Sequence, residues 1–448
     1  MDLTLQIYHH SIWHNAATLT IPDPERGRRG AMLLGYDRDY ALEWLNRDDA
    51  CACSLRYPVD LFSTYHGTHW LGFIDDIMPA GAARRYWVAQ LGLQDRAPSE
   101  QDAELLQKGT IAPVGNLRIK ESLPALAEGN QLASRRFAIA DVCERDIDFL
   151  EYAQQMGAAS GGATGAGGEA PKLVLRCSAD HQVWIDTFQD DQSLADRHYL
   201  VKFPRGRRTE IDGDILRTEY HFYHELTALG IDTIDIDGMR LEEGSRYPSL
   251  WLPRFDTAFI DGKTERYGLE SIFSVLDKAP GSYMHHGDVV AQLVALLAKQ
   301  YGVTEQGGSF DPAAFVIEWA KRDLLNVAFG NSDNHGRNTA LIKRPAGIQL
   351  APIYDFAPMK ADPEGVTRTT IWGSPLEEGG RFNWPLIAAQ LAPWIEPAHL
   401  LYELGLLAGR LYGLRDRLAA RGVPQRILAM PTMGFDFLDD KLKSWKLP

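Results

Sequence analysis

Cysteine is scarce. Cys51, Cys53, Cys143 and Cys177 are the four in 448 residues, without paired C-x-x-C spacing, so the pattern supports neither a disulfide scaffold nor a zinc ribbon. A reducing cytoplasm suits such a chain, and a cytoplasmic location is the expectation. Long apolar runs are missing too. Nowhere do eighteen apolar residues follow one another, and the start, MDLTLQIYHHSIWHN, has no basic stretch leading into an apolar one; neither membrane insertion nor export is expected. Positive charge is in deficit, with 46 Lys and Arg against 60 Asp and Glu and a net charge of −14. Direct nucleic-acid binding by this chain alone is therefore not expected, because phosphate neutralisation needs clustered cations. The RGRR strings at 26–29 and 205–208 are local exceptions. There is no Walker A loop and no repeat of fixed period.

What is present reads as strands first and helices later. The first 70 residues alternate apolar and polar positions between turn-rich patches, the mark of short antiparallel strands. AARRYWVAQLGL has helical spacing, VGNLRI (Val114 to Ile119) is a strand candidate, and IADVCERDIDFLEYAQQMG reads as one helix. The glycine-rich stretch GAASGGATGAGGEAPK follows, then strands in KLVLRC, VWIDTFQ and HYLVKFP. ILRTEYHFYHELTALG is a helix closing at Gly230, and SLWLPRFD is a strand. The remainder reads as mostly helical, with amphipathic candidates at 288–301, 313–329, 385–413 and 415–421. At more than twice the usual domain length, the chain is expected to form two lobes or domains.

Chemistry concentrates in GNSDNHGRN. Asp333 and Asn338 are five apart, the offset of the Asp and Asn in the kinase catalytic loop, where the Asp accepts a hydroxyl proton and the Asn holds Mg²⁺. Asp355, in YDF, stands where the D-F-G Asp would bridge metal and phosphates. Taken alone, such an Asn- and Asp-rich string is more often an ordinary turn. Lys202 shifts the balance, since a cation inside the apolar strand YLVKFP is costly without a partner and a phosphate would supply one; the plain alternative is an edge-strand lysine reaching water. Glu219 could pair with Lys202 as a kinase helix acid does, with Glu225 equally available. The glycine stretch contains G-x-G-x-x-A but follows a helix and opens a strand, so a dinucleotide loop is rejected; it is either a phosphate cradle or a linker. His9, His10, His14, His66 and His69 could be imagined as a metal site, but lack compact ligand spacing.

Together YLVKFP, LPRFD, GNSDNHGRN and LAPIYDFAP, in that order, resemble the HipA family of bacterial serine/threonine kinase toxins, and FIDDIMPAG looks like that family's amino-terminal motif. The resemblance covers essentially the whole chain. It implies an α+β, protein-kinase-like two-lobed fold: a β-rich HipA-type subdomain over 1–145, an N-lobe core over 146–256 and a mostly helical C-lobe over 257–448. It implies use of ATP and Mg²⁺ and a protein substrate, in known relatives an aminoacyl-tRNA synthetase. Carried over, Lys202 with Gly167, Gly168 and Glu219 would serve ATP, Pro253, Arg254 and Phe255 would form the adenine hinge, Asp333 would be the base with His335 beside it, and Asn338 and Asp355 would hold Mg²⁺. The glycine stretch departs from the family pattern: Glu169 and Ala170 interrupt it, and no serine stands at the autophosphorylation position. Thr164 and Ser160 are the nearby hydroxyls. The variant looks closer to the solitary HipH-type branch, which weakens the expectation of a HipB-type helix-turn-helix antitoxin. Two rivals remain: a metal-dependent nuclease or hydrolase, active without ATP, and a pseudokinase that partners a DNA-binding protein.

Overall fold

The computed structural model describes residues 1–111, 114–123, 134–155, 170–186, 194–300 and 310–447. The chain forms two compact units, each assembled from three separate segments: 1–206, 237–278 and 340–351 in the first, 207–236, 279–339 and 352–448 in the second.

The alternation at the start of the first unit does become antiparallel strands. β1 (Asp2–His9) and β2 (Ile12–Thr20) join through His10 and Ser11, both at positive φ (51° and 62°), as a two-residue hairpin turn requires. With β3 (Met32–Tyr36), β4 (Tyr65–Gly67) and β5 (Leu117–Ile119) they form a sheet of order β4-β3-β2-β1-β5. Leu3, Leu5, Leu19 and Leu34 bury one face against Phe73, Ile77 and Leu105 from the helices Ile74–Ile77 and Pro98–Lys108 and the turn before them.

A second sheet, in the order β10-β11-β9-β7-β8-β6, is built from β6 (Phe137–Ala138), β7 (Lys172–Cys177), β8 (Gln182–Trp184), β9 (Arg197–Lys202), β10 (Arg240–Glu243) and β11 (Pro248–Pro253). Its apolar face packs Leu175, Tyr199, Val201 and Trp251 against Phe149 and Tyr152. The single helix expected over 139–157 is two, Ile139–Glu144 and Ile147–Gln155. Arg145 turns left-handed (φ 55°) between them, and the Asp146 carboxylate restarts the helix by accepting from the Asp148 N–H.

The remainder of the chain holds more strand than its helical periodicity suggests. β12 (Thr257–Ile260) and β13 (Lys263–Arg266) make a hairpin, and β14 (Gly268–Ser271), β16 (Ala340–Arg344) and β17 (Gly347–Leu350) make a three-stranded sheet in the first unit. That sheet carries a buried ion pair. Glu270, 1% exposed, meets Lys343 Nζ at 3.3 Å and accepts from Ser54 and the Leu55 N–H, and Lys343 also donates to the Ala52 carbonyl.

The second unit is helical: Glu210–Ala228, His286–Gln300, Pro312–Phe329, Trp384–Gln390, Pro397–Leu411 and Leu414–Arg421 are its longer members. The run expected as one helix over 385–413 breaks before Pro397, because Pro393 and Pro397 cannot continue a helix and Glu396 caps the next one. β15 (Met284–His285) and β18 (Thr370–Ile371) add one parallel pair. No helix among the described residues is long and apolar enough to cross a membrane.

Candidate active site

The loop 330–339 begins where helix Pro312–Phe329 ends at Gly330, left-handed at φ 70°. Asn331 then doubles as a local brace: its amide donates to the Asn326 side chain and its Oδ1 accepts from the Asp333 N–H (3.2 Å). Asp333 stands two residues beyond, with its side chain 31% exposed and so open to a reactant. Its Oδ1 lies 3.2 Å from His335 Nε2. The His335 Nδ1 accepts the Arg337 N–H, so the ring carries its proton on Nε2 and presents it to the Asp333 carboxylate. Asn338 donates its Nδ2 to the Asp333 carbonyl at 2.9 Å, and its N–H bonds the His335 carbonyl. That donation leaves Asn338 Oδ1 as the amide's cation-binding atom.

Asp355 belongs to the same unit and is held at φ 51°, a conformation that costs a non-glycine residue and persists where its surroundings enforce it. Two tyrosines enforce it. Tyr354 donates to the Arg337 carbonyl (2.7 Å), tying this turn to the Asp333 loop. Tyr223 accepts the Phe356 N–H (3.3 Å) and donates to Glu219 Oε1 (2.9 Å), tying it to helix Glu210–Ala228. Burial, with the Glu219 and Asp355 carboxylates nearby, raises the Tyr223 phenol well above its ordinary range, so it stays a donor. Glu225 is not an interchangeable acid: Arg417 and Arg421 both clamp it at 2.6 Å.

Underneath the loop, Asp323 gathers three hydrogen-bond donors and one ion-pair contact. Asn334 Nδ2 (3.1 Å), Arg368 Nη2 (2.8 Å), Trp372 Nε1 (2.7 Å) and His286 Nε2 (3.3 Å) all reach its carboxylate. Burial alone would raise this carboxyl, but Arg368, His286 and Trp372 outweigh it and hold it well below the usual range. The Asn334 carbonyl in turn accepts from the Thr369 and Thr370 N–H groups. Asp323, Arg368 and Tyr223 were not legible as site residues, for their partners are far along the chain; Tyr223 reads as plain core in an aromatic stripe.

In the first unit Lys202 is no edge-strand lysine. β9 lies between β11 and β7, and Lys202 is 3% exposed. Lys172, 7% exposed, is its direct cross-strand partner. Lys172 stands at the end of the glycine stretch, and its place beside Lys202 is a matter of strand register. Pro253 pairs with Tyr199 at the end of β11, the Arg254 N–H donates to the His198 carbonyl, and the Arg254 guanidinium is spent on Asp256. Gly167, Gly168, Thr164 and Ser160 lie outside the described residues.

The histidines do not assemble a metal site. His9 and His14 stack at 4.1 Å with planes 8° apart, which keeps their in-plane lone pairs from converging on one ion, and burial beside His14 lowers His9 to about 3. His69 instead meets Asp277, and no group of three metal-ligating side chains occurs among the described residues.

The HipA-like C-terminal domain matches residues 164–394. No curated protein matches the chain. Among solved structures, HipA of Shewanella oneidensis MR-1, solved with HipB and its operator DNA, is 16% identical with a TM-score of 0.64, over 99% of this chain and 97% of that one. The Helicobacter pylori proinflammatory kinase CtkA matches more loosely, at 14% identity and a TM-score of 0.32, over 62% of this chain and 88% of that one. The fold is accordingly the α+β, two-lobed kinase-like fold of HipA, and the chain belongs to the HipA-like family.

Proposed function

We propose that the chain is an ATP- and Mg²⁺-dependent serine/threonine protein kinase of the HipA toxin type. The observation that carries this is the hydrogen-bonded set Asp333–His335–Asn338, braced through Tyr354 to Asp355 within one unit. Asp333 is the general base, taking the proton from the substrate hydroxyl as the γ-phosphoryl is transferred. His335 holds the carboxylate by its Nε2–H and keeps one oxygen turned to the task. Asn338 Oδ1 and the Asp355 carboxylate fit Mg²⁺, an ion that takes one or two protein oxygens and fills the rest of its shell with water and phosphate. Bound there, Mg²⁺ would neutralise charge on the phosphate oxygens. In this reading Lys202 serves the ATP phosphates, Glu219 has the role of the kinase helix acid, and Pro253, Arg254 and Phe255 form the adenine hinge. The division at residues 145 and 256 belongs to the same reading.

The substrate is a protein, by family analogy a translation component such as an aminoacyl-tRNA synthetase. A small helix-turn-helix partner is proposed because the Shewanella relative was solved with HipB and operator DNA. The deciding experiment mixes the purified chain with Mg²⁺ and labelled ATP in the presence of candidate protein substrates. Label transfer that falls by about 10²–10⁴-fold in Asp333→Asn, and is also lost in Asp355→Asn and Lys202→Ala, supports the kinase. Hydrolytic activity without ATP, indifferent to Lys202→Ala, would overturn it.

A further inference from the structure

We propose that Lys360, Arg368 and Lys441 form a receptor for a phosphate dianion next to the Asp333 loop, walled by the rings of Phe382 and Trp445. All five residues lie in the second unit. Phe382 fixes the geometry: the Arg368 guanidinium carbon lies 5.3 Å from its centroid and Lys441 Nζ 5.8 Å, with Lys441 also 6.0 Å from the Trp445 ring. Two cations therefore share one aromatic ring. Lys360 joins them from the turn after Asp355, where its N–H donates to the Gly330 carbonyl at the start of the catalytic loop.

The cluster holds more positive charge than its carboxylates answer. Arg368 is met by Asp323 (2.8 Å) and Glu377 (3.3 Å), yet its Nη1 is buried with no hydrogen-bond partner. The ammonium groups of Lys360 and Lys441 make no ion pair or hydrogen bond among the described residues. Both lysines are half-buried, close enough to feel one another, and are lowered from their ordinary range by burial and then by neighbouring cations.

A bland account would have the two lysines reaching water over aromatic rings. It leaves the buried Nη1 unanswered and gives no reason for three cations close enough to depress one another. A tetrahedral dianion answers both, since Arg368 Nη1 offers one directed donor and the lysines supply point charge. The anion could be free phosphate or a phosphorylated serine or threonine side chain; the chemistry of the site is the same.

Isothermal titration of the full-length chain with sodium phosphate, and separately with N-acetyl-phosphoserine amide, tests this against sodium chloride at matched ionic strength. The expected result is saturable binding of at least one probe, about tenfold or more weaker in Lys360→Met and in Lys441→Met, and retained in Lys441→Arg, which keeps the charge. Tighter binding of the phosphoserine probe identifies a phosphorylated side chain as occupant; equal or tighter binding of phosphate identifies the free ion. The binding should persist in Asp333→Asn and Lys202→Ala, so it stands or falls apart from the kinase reading. Absence of saturable binding by either probe, or equal affinity in the methionine variants, overturns the receptor.

Discussion

Asp333 is supported differently on its two sides, and the difference is testable residue by residue. His335 acts on the carboxylate, while Asn338 acts on the backbone through its Nδ2. Replacing His335 with Ala removes a hydrogen bond to a charged group, about 1.5–3 kcal/mol, and the expected outcome is a fall in kcat of about 10–100-fold with KM little changed. Steady-state kinetics at saturating ATP checks it. Tyr223→Phe removes the acceptor of the Phe356 N–H. A buried unpaired N–H costs about 1–3 kcal/mol, read as a lower urea midpoint. Lys441 gives a pH signature. Burial, then Lys360 and Arg368, push it from 10.5 down to about 8. Between those values the unfolded chain binds the extra proton, so stability rises as pH climbs from about 8 and the penalty is fully present below it. Lys441→Met should flatten that rise in urea midpoints measured across the range.

Elements with strong periodicity were legible: helices Glu210–Ala228 and Pro312–Phe329 lie where the apolar spacing puts them. The short hairpins β12–β13 and β16–β17 were not, because four- and five-residue strands carry too little alternation to stand out. The candidate site divides along the same line. The Asp333–Asn338 interval is local and was readable, whereas Lys172 opposite Lys202 is a matter of register. Asp323 and Arg368 stand 45 residues apart and share no local pattern. A prediction at this scale concerns the three-stranded sheet. Glu270→Ala leaves Lys343 charged and uncompensated in the interior, a loss of about 3–5 kcal/mol, and chemical denaturation should show it; the double change Glu270→Met, Lys343→Met should recover much of that loss.

The whole molecule is interleaved. The chain changes unit after residues 206, 236, 278, 339 and 351, so neither unit is a continuous stretch that can be cut out. A fragment comprising residues 1–278 lacks β16 and β17, leaving β14 unpaired and Glu270 without Lys343. The expected outcome is a fragment without the cooperative melting of the full chain, as followed by circular dichroism. The hairpin β16–β17 also sets an order of events on the ribosome. At about 5–20 residues per second, β14 waits roughly 3–14 s for β16 to be made. Asn338 leaves the ribosome just before that hairpin and Asp355 just after it. The growing chain thus carries Asp333, Asn338 and Asp355 together only once the strand that closes the other unit has emerged, and on the proposed kinase reading a prematurely ended translation product is expected to transfer no phosphate.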